Sequence, residues 1–182
     1  MTYLRLATTK TQQQTNDDIC LDAFQRELDY ILRTLRQLGI RPFELDDLAQ
    51  DMFVALRRSW SKYNPGRPLR PYLFGIAFRL ASAYQRKRDR EVPCGLVDVG
   101  DLNRGPDDTL LARQEQAIVR AALQRIPLAR RTVFVMHDLH DMPAEEVVAA
   151  LSIPLFTVYS RLRKARQEMR KAIHRLVKER DV

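Results

Sequence analysis

The segment of residues 142–170 constrains the fold of this chain more than any other stretch of its sequence. Pro143 suits the first turn of a helix, where its missing N–H costs nothing, and Glu145 and Glu146 follow where the helix dipole favours acids. Pro154 pushes the residue before it out of helical backbone and can open a second helix. The pattern therefore predicts a short helix, a tight turn and a longer basic helix, which together form a helix-turn-helix.

The longer helix carries an apolar stripe whose members recur at steps of three and four residues. The stripe consists of Leu155, Val158, Leu162, Ala165, Met169, Ala172 or Ile173, and Leu176. Most basic residues fall off this stripe: Arg161, Arg163, Lys164, Arg166, Arg170 and Lys171. A helix-turn-helix can place such a helix in the major groove of DNA, but a basic face of this kind also occurs on ordinary solvated helices. Both interpretations stay open on this segment alone.

Charge favours a polyanionic partner, since the chain has a formal net charge of +8 and a pI near 9.9. Its cysteines, Cys20 and Cys94, lie far apart and form neither a disulfide framework nor a CxxC metal pair, which fits a reducing cytoplasm. The first residues are polar, and no apolar run is long enough to span a bilayer. We expect a cytoplasmic protein without a signal peptide and without direct membrane insertion.

Helical periodicity dominates the chain and strand alternation is absent, so we predict an all-α fold. Segments 19–38, 45–63, 69–88, 111–125 and 127–139 are the predicted helices that precede the helix-turn-helix. Gly39 ends the first of these helices, and the Asn64-Pro65-Gly66 turn separates the second helix from the third. Proline, glycine and aspartate then accumulate in segment 91–109. The prediction is a flexible tail at 1–18 and two small helical domains, 19–90 and 110–178, joined by a flexible linker at 91–109.

Four motifs in order resemble those of bacterial RNA polymerase sigma factors of the extracytoplasmic-function (ECF) class. Residues 44–56, ELDDLAQDMFVAL, resemble the "DLxQExF" helix of these factors, and residues 72–77, YLFGIA, resemble their "WLxxIA" segment. Residues 123–134, LQRIPLARRTVF, resemble "LxxLPxxxRxVF", and residues 157–166, TVYSRLRKAR, resemble "TVxSRLxRAR". Together the motifs cover nearly all of residues 19–175. The class keeps only the second and fourth conserved sigma regions, which matches two domains and a linker.

The resemblance implies a protein that binds core RNA polymerase, directs it to promoter DNA and helps to melt the duplex. It implies no enzyme activity, no catalytic residue and no cofactor. It also implies regulation by an anti-sigma factor that masks both binding faces. Core polymerase would dock on Asp47, Gln50, Asp51 and Phe53. Carboxylates beside an aromatic ring suit a basic partner surface, although charge alone favours a solvated acidic helix at this place.

The third helix would face the promoter −10 element, where melting exposes unstacked bases. The residues implied for this contact are Arg79, Tyr84, Arg86, Lys87 and Arg88. Trp60, Tyr63 and Tyr72 are secondary candidates, and core packing is favoured over base contact for Trp60 and Tyr72.

The last helix would read the −35 element with residues near its N-terminus. Candidates for base edges are Leu155, Phe156, Thr157, Tyr159, Ser160 and Arg163, and candidates for phosphates are Arg161, Lys164 and Arg166. Val158 and Leu162 belong to the apolar stripe and should be buried.

The chain departs from the family pattern at three places that bear on DNA preference and on the turn. Phe78-Arg79 stands where the family often has Arg-Asn, and Phe156 stands where a small residue is usual. The first departure bears on base preference in the −10 element, and the bulky Phe156, at the end of the helix that would enter the groove, is expected to alter −35 preference or to contact a thymine methyl. Ser152 replaces the usual glycine of the turn, where backbone freedom is useful.

Other residue patterns in the chain give little support for a metal site, an enzyme or a different class of protein. His137 and His140 lie three residues apart, but no further Cys or His completes a metal site, so we expect none. No nucleophile elbow, phosphate loop or carboxylate pair is present. The main alternative is a stand-alone helix-turn-helix transcriptional regulator, which leaves the acidic helix and the basic third helix unexplained. A nuclease or recombinase would need a catalytic domain that residues 19–90 do not resemble.

Overall fold

A computed structural model of the chain describes residues 16–91 and 110–180. The expected linker from residue 92 onward and the expected tail up to residue 15 lie outside the described residues. Within the described ranges all regular structure is helical and no strand occurs, as predicted for an all-α fold. The helices are α1 (residues 16–26), α2 (Leu28–Leu38), α3 (Leu45–Ser59), α4 (Leu69–Glu91), α5 (Leu110–Gln124), α6 (Leu128–Phe134), α7 (Ala144–Leu151) and α8 (Leu155–Arg180).

Glycine, proline and serine set several helix boundaries. Gly39 ends α2 with a left-handed φ of 98°, and its N–H donates to the Arg36 carbonyl at 3.0 Å. Pro143 precedes the first residue of α7. Ser152 closes α7 with a φ of 54°, so the residue that replaces the usual turn glycine does adopt left-handed backbone.

Three helix boundaries differ from the sequence-based prediction. Residues 16–18 are helical instead of belonging to a tail, and the Arg57 Nε donates to the Asp17 carboxylate at 3.0 Å. The predicted helix over 19–38 is interrupted by a turn at Glu27. The predicted helix over 127–139 is α-helical only in α6, and Val135–Leu139 continues it as a π-helical turn. Periodicity alone does not register such local changes of winding.

Apolar residues spaced at three and four give each helix a buried face. The largest fully buried side chains before residue 91 are Ile31, Leu35, Leu38, Met52, Leu56, Leu73, Phe74 and Ile76. In α8 the predicted stripe is confirmed, since Val158 is 0 % and Leu162 3 % exposed. Leu155, the first residue of α8 and one turn before Val158, is the exposed member of the stripe, at 42 %.

The two predicted helical units contact each other. A Cβ added to Gly75 of α4 would lie 2.9 Å from the Ala150 carbonyl oxygen of α7, so glycine permits the approach of these helices. Arg131 of α6 donates from its Nη1 to the Leu38 carbonyl at the end of α2, at 2.9 Å. Buried residues of both units therefore form one continuous core cluster.

Candidate functional site

Helix α3 presents a short acidic stripe to solvent. Asp47, Gln50 and Asp51 are all exposed, and their i, i+3, i+4 spacing puts them on one face of the helix. Val54 continues the same face and is 43 % exposed, which is unusual for a valine in a packed helix. Sequence reasoning missed Val54, although its i+3 and i+4 spacing from Asp51 and Gln50 was the available signal. The stripe combines carboxylates, an amide and one apolar contact.

Phe53 does not share that face. Its ring is half-buried and packs edge-on against Phe24 of α1, with the ring centroids 5.2 Å apart. The resemblance places Phe53 among the docking residues, and in the structure its half-buried ring packs between α1 and α3.

Helix α4 carries a basic exposed face toward its C-terminal end. Arg79, Arg86 and Lys87 are exposed, and steps of seven and eight residues keep them on one side of the helix. Arg88 is half-buried and lies on the other side of the helix, nine residues after Arg79 and four after Tyr84, where its charge acts on Glu44. This arrangement brings three of the five predicted −10 residues, Arg79, Arg86 and Lys87, together as a cationic surface, which suits a phosphate backbone.

Tyr84, the fifth of these residues, faces away from that surface. Its hydroxyl donates to the Glu44 carboxylate and accepts from the Arg41 Nε at 2.8 Å. Burial and the neighbouring Glu44 raise the pKa of this tyrosine. Because the ring is committed to the loop between α2 and α3, the structure does not offer it to an unstacked base. The prediction of Tyr84 as a base contact is therefore not matched by its orientation.

The other aromatic candidates form a cluster where α3 meets α4. The rings of Trp60 and Tyr63 stack with their centroids 5.2 Å apart, and Tyr63 contacts Tyr72 at 5.3 Å. The Tyr72 hydroxyl donates to the Ser59 carbonyl at 2.9 Å. Trp60 and Tyr72 pack against the core, which was the favoured interpretation for both.

The first turns of α8 carry the exposed residues predicted to read DNA. Phe156 is 83 %, Tyr159 52 % and Leu155 42 % exposed. Arg163 and Lys164 are exposed, whereas Thr157, Ser160 and Arg161 are half-buried at the flanks. The Ser160 hydroxyl donates to the Thr157 carbonyl within the helix at 3.1 Å. The open face of the helix is thus aromatic near its start and basic one turn later.

Arg166 is committed to an intramolecular ion pair. Its guanidinium makes a bidentate contact with Asp138, with Nε and NH2 at 2.8 Å and 2.7 Å from the two carboxylate oxygens. The Arg166 guanidinium holds the pKa of Asp138 below its usual value. A phosphate contact by Arg166, as predicted from the sequence, would have to compete with this carboxylate.

The two histidines have separate partners. His137 Nδ1 lies 3.0 Å from an Asp138 oxygen, whereas His140 Nε2 lies 2.8 Å from Gln37 Oε1 and its Nδ1 3.2 Å from Tyr30 Oη. Burial lowers the pKa of His140 to about 4. Across residues 16–91 and 110–180, no group of three or more His, Cys, Asp or Glu side chains is arranged to hold a metal ion. The helices of these ranges are also too short or too polar to span a membrane.

These faces define a helical DNA-binding protein, with a helix-turn-helix near its C-terminal end and an acidic stripe on α3. Comparison with known families agrees with this class. The model for Sigma-70 region 2 matches residues 23–91, and the model for Sigma-70, region 4 matches residues 116–169.

Among curated proteins, the RNA polymerase sigma factor CnrH of Cupriavidus metallidurans is 29% identical over 149 residues, which cover 76% of this chain and 78% of that protein. The ECF RNA polymerase sigma-E factor of Escherichia coli is 23% identical over 146 residues, covering 74% and 76%. The chain belongs to the ECF class of RNA polymerase sigma factors and directs RNA polymerase to promoters. The matching proteins are transcription initiation factors, and a stand-alone regulator is not favoured.

Solved structures share the fold. CnrH in complex with the cytosolic domain of CnrY has a TM-score of 0.63 at 22% identity, covering 89% of this chain and 94% of that one. The sigma factor RpoE of Bartonella quintana, in complex with the anti-sigma factor NepR, has a TM-score of 0.67 at 21% identity, covering 84% and 97%. At this identity the likeness establishes the architecture.

Proposed function

We propose that the two parts of the chain divide the work of promoter recognition. Residues 19–90 bind core polymerase through α3 and the −10 element through α4, and residues 110–178 bind the −35 element through α8. The protein works in the cytoplasm, by binding and positioning, without catalysing a reaction itself. The single observation that carries the proposal is the pair of exposed faces of opposite charge on adjacent helices, acidic on α3 and basic on α4.

The acidic stripe suits a basic protein surface and would repel DNA. Asp47 and Asp51 lie one turn apart with Gln50 beside them, and Val54 supplies apolar contact at the end of the row. Carboxylates facing a basic surface give the electrostatic complementarity that speeds association and selects one partner over another. The basic face of α4 would repel the same protein surface and attract phosphates. Each helix therefore selects a different partner.

A regulator that masks these faces completes the proposal. Two sigma factors with this fold were solved in complexes, one with the cytosolic domain of CnrY and one with the anti-sigma factor NepR. We propose that an anti-sigma factor binds this chain and competes with core polymerase for the stripe on α3. Competition between the inhibitor and core enzyme for one site would follow from the overlap of their surfaces.

The test is a charge reversal on α3 in the full chain. Asp51→Arg should weaken binding to core polymerase by about tenfold or more, because a like charge now meets the basic partner surface. Duplex binding by α8 should be retained. Asp29→Arg, an equally exposed aspartate at the start of α2, is the matched control and should bind core enzyme as wild type does.

Two outcomes of this experiment contradict the proposal. Equal loss of core binding in Asp51→Arg and Asp29→Arg would mean that net charge decides the affinity, and not the stripe. Loss of duplex binding together with core binding in Asp51→Arg would contradict the division of labour between the two parts.

A further inference from the structure

Three large side chains form an exposed patch at the start of α8, the aromatic patch, consisting of Leu155, Phe156 and Tyr159. Phe156, at 83 %, is the most exposed large apolar side chain in the described part of the chain. Its i+3 neighbour Tyr159 and the adjacent Leu155 extend the surface over the first turn of the helix. Apolar side chains grouped in this way indicate a contact surface, whereas scattered ones are ordinary.

Phe156, the most exposed member of the patch, points away from the protein core. Val158 and Leu162 face the core, and Phe156 precedes Val158 by two residues, which places it on nearly the opposite side of the helix. Exposure of Phe156 therefore follows from the helix register that buries the stripe. A rotation that buried Phe156 would expose Val158 and Leu162, so the fold leaves the ring open to a partner.

Charge around the patch identifies that partner as a polyanion. Residues 155–167 contain four basic residues and no acidic residue, and one of the four, Arg166, is paired with Asp138, which leaves the charge of Arg161, Arg163 and Lys164. Arg163 lies one turn beyond Tyr159 on the exposed side, and Lys164 is exposed beside it. A protein surface that bound the patch would have to accept this unbalanced positive charge. The major groove of DNA offers phosphates for the cations at the same time as base edges for the patch.

Within the major groove the apolar group of a base pair is the C5 methyl of thymine. Phe156 and Leu155 have no hydrogen-bonding group, so they cannot read the donor and acceptor pattern of the bases. They can gain free energy only by removing apolar surface from water, and a methyl group supplies that surface. The chemistry of the patch therefore selects thymine over cytosine at the positions that it covers.

We propose that Leu155, Phe156 and Tyr159 read thymine methyl groups in the −35 element, so that this sigma factor requires thymines where the start of α8 enters the groove. The inference rests on the proposed function of α8 and names the chemistry of its specificity. Arg163 and Lys164 anchor the helix on the backbone, and Phe156 makes the central methyl contact.

The test replaces thymine by deoxyuridine, which pairs alike and lacks only the methyl group. A promoter library randomised in the −35 region is first transcribed by core polymerase carrying the full chain, and the enriched element is taken as template. Each thymine of that element is then exchanged singly on either strand. At the thymine under Phe156, we expect about a fourfold loss of transcript, the value of one buried methyl-sized group.

The variant Phe156→Ala provides the second arm. On the thymine template it should lose transcript by about fourfold or more, and it should no longer distinguish thymine from deoxyuridine. Phe43→Ala is the matched control, because Phe43 is also a highly exposed phenylalanine, at 70 %, and precedes α3. This control should keep the full sensitivity to the methyl group.

Each remaining outcome overturns a defined part of the account. If no −35 sequence is enriched, the proposed function of α8 fails together with this inference. If an element is enriched but wild type tolerates deoxyuridine at every position, only the inference fails. If Phe156→Ala loses transcript equally on both templates, the patch binds polymerase or another protein, and methyl recognition is again excluded.

Discussion

Gly75 is the residue whose substitution tests the contact between the two helical units most sharply. It lies inside α4, where glycine is less favourable than alanine by about 1 kcal/mol. The compensation is the close approach of α7, since a Cβ at this position would lie 2.9 Å from the Ala150 carbonyl oxygen. Gly75→Ala should therefore favour α4 as a helix by about 1 kcal/mol and, at the same time, push α7 away from it.

His140 reports on this contact, because its ring lies between the units. Its two nitrogens contact Tyr30 and Gln37 of α2, and burial lowers its pKa to about 4, with Arg33 and Arg70 acting in the same direction. In separated units the pKa should return to about 6.5. We expect Gly75→Ala to raise the pKa of His140 from about 4 toward that value.

The sign of the pH dependence follows from the same shift. The packed state holds His140 neutral, so the separated state binds the proton more readily between about pH 6.5 and pH 4. Acidification through this window should weaken the contact by about 1–2 kcal/mol, allowing for solvent screening of a half-buried ring. Above about pH 6.5 the contribution of His140 should be constant.

The assay is an NMR titration of the imidazole protons in the full chain, with His140→Gln assigning the signal among the three histidines. Ala83→Gly is the matched control, because Ala83 lies on the exposed side of α4. It should lower the free energy of unfolding by about 1 kcal/mol and leave the pKa of His140 unchanged. An unchanged pKa of His140 in Gly75→Ala would refute the role assigned to Gly75.

Three further substitutions have defined outcomes. Asp138→Asn should release Arg166 for phosphate contact, which would strengthen duplex binding and steepen its salt dependence by about one unit in a plot of log affinity against log salt; an unchanged slope would contradict this. Arg131→Met should lower the free energy of unfolding in urea by about 3 kcal/mol or more, because its buried guanidinium satisfies the carbonyls of Leu38, Gln124 and Ile126. Ser152→Gly should raise the free energy of unfolding by about 0.5–1 kcal/mol, because glycine adopts left-handed backbone without steric strain. A lower free energy of unfolding in this variant would show that the serine side chain stabilises the turn.

The helical architecture was predictable because local signals specify it. Steps of three and four residues mark each buried face, and Gly39 and Pro143 stand where their backbone preferences require a boundary. The burial of Val158 and Leu162 follows from the same periodicity. These features depend on residues within one or two helical turns, so the local sequence is sufficient to predict them.

The orientation of several site residues depends on distant partners and was not predictable. Tyr84 turns toward Glu44, which lies 40 residues away in sequence, and Arg166 pairs with Asp138, 28 residues away. Phe53 packs on Phe24 of α1, which lies 29 residues before it in the sequence. Helical spacing predicts which face a residue occupies, but not whether another segment already binds the side chain there.

The sequence gives only one indication that the two units contact each other. Gly75 interrupts a helical pattern without any turn nearby, and an isolated glycine of this kind can mark a close backbone approach. Nothing in the local sequence identifies α7 as the partner. The position of His140 against α2 likewise depends on the packing of the whole molecule.

Transcription with purified core RNA polymerase tests the central claim most directly. Core enzyme supplemented with the full chain should initiate at discrete promoters in a pool of genomic fragments, whereas core enzyme alone should not. Asp51→Arg should abolish the added initiation at limiting protein, and Asp29→Arg should preserve it. If the wild-type chain binds duplex DNA tightly yet never associates with core enzyme or changes where it initiates, the assignment of this protein as a sigma factor is wrong.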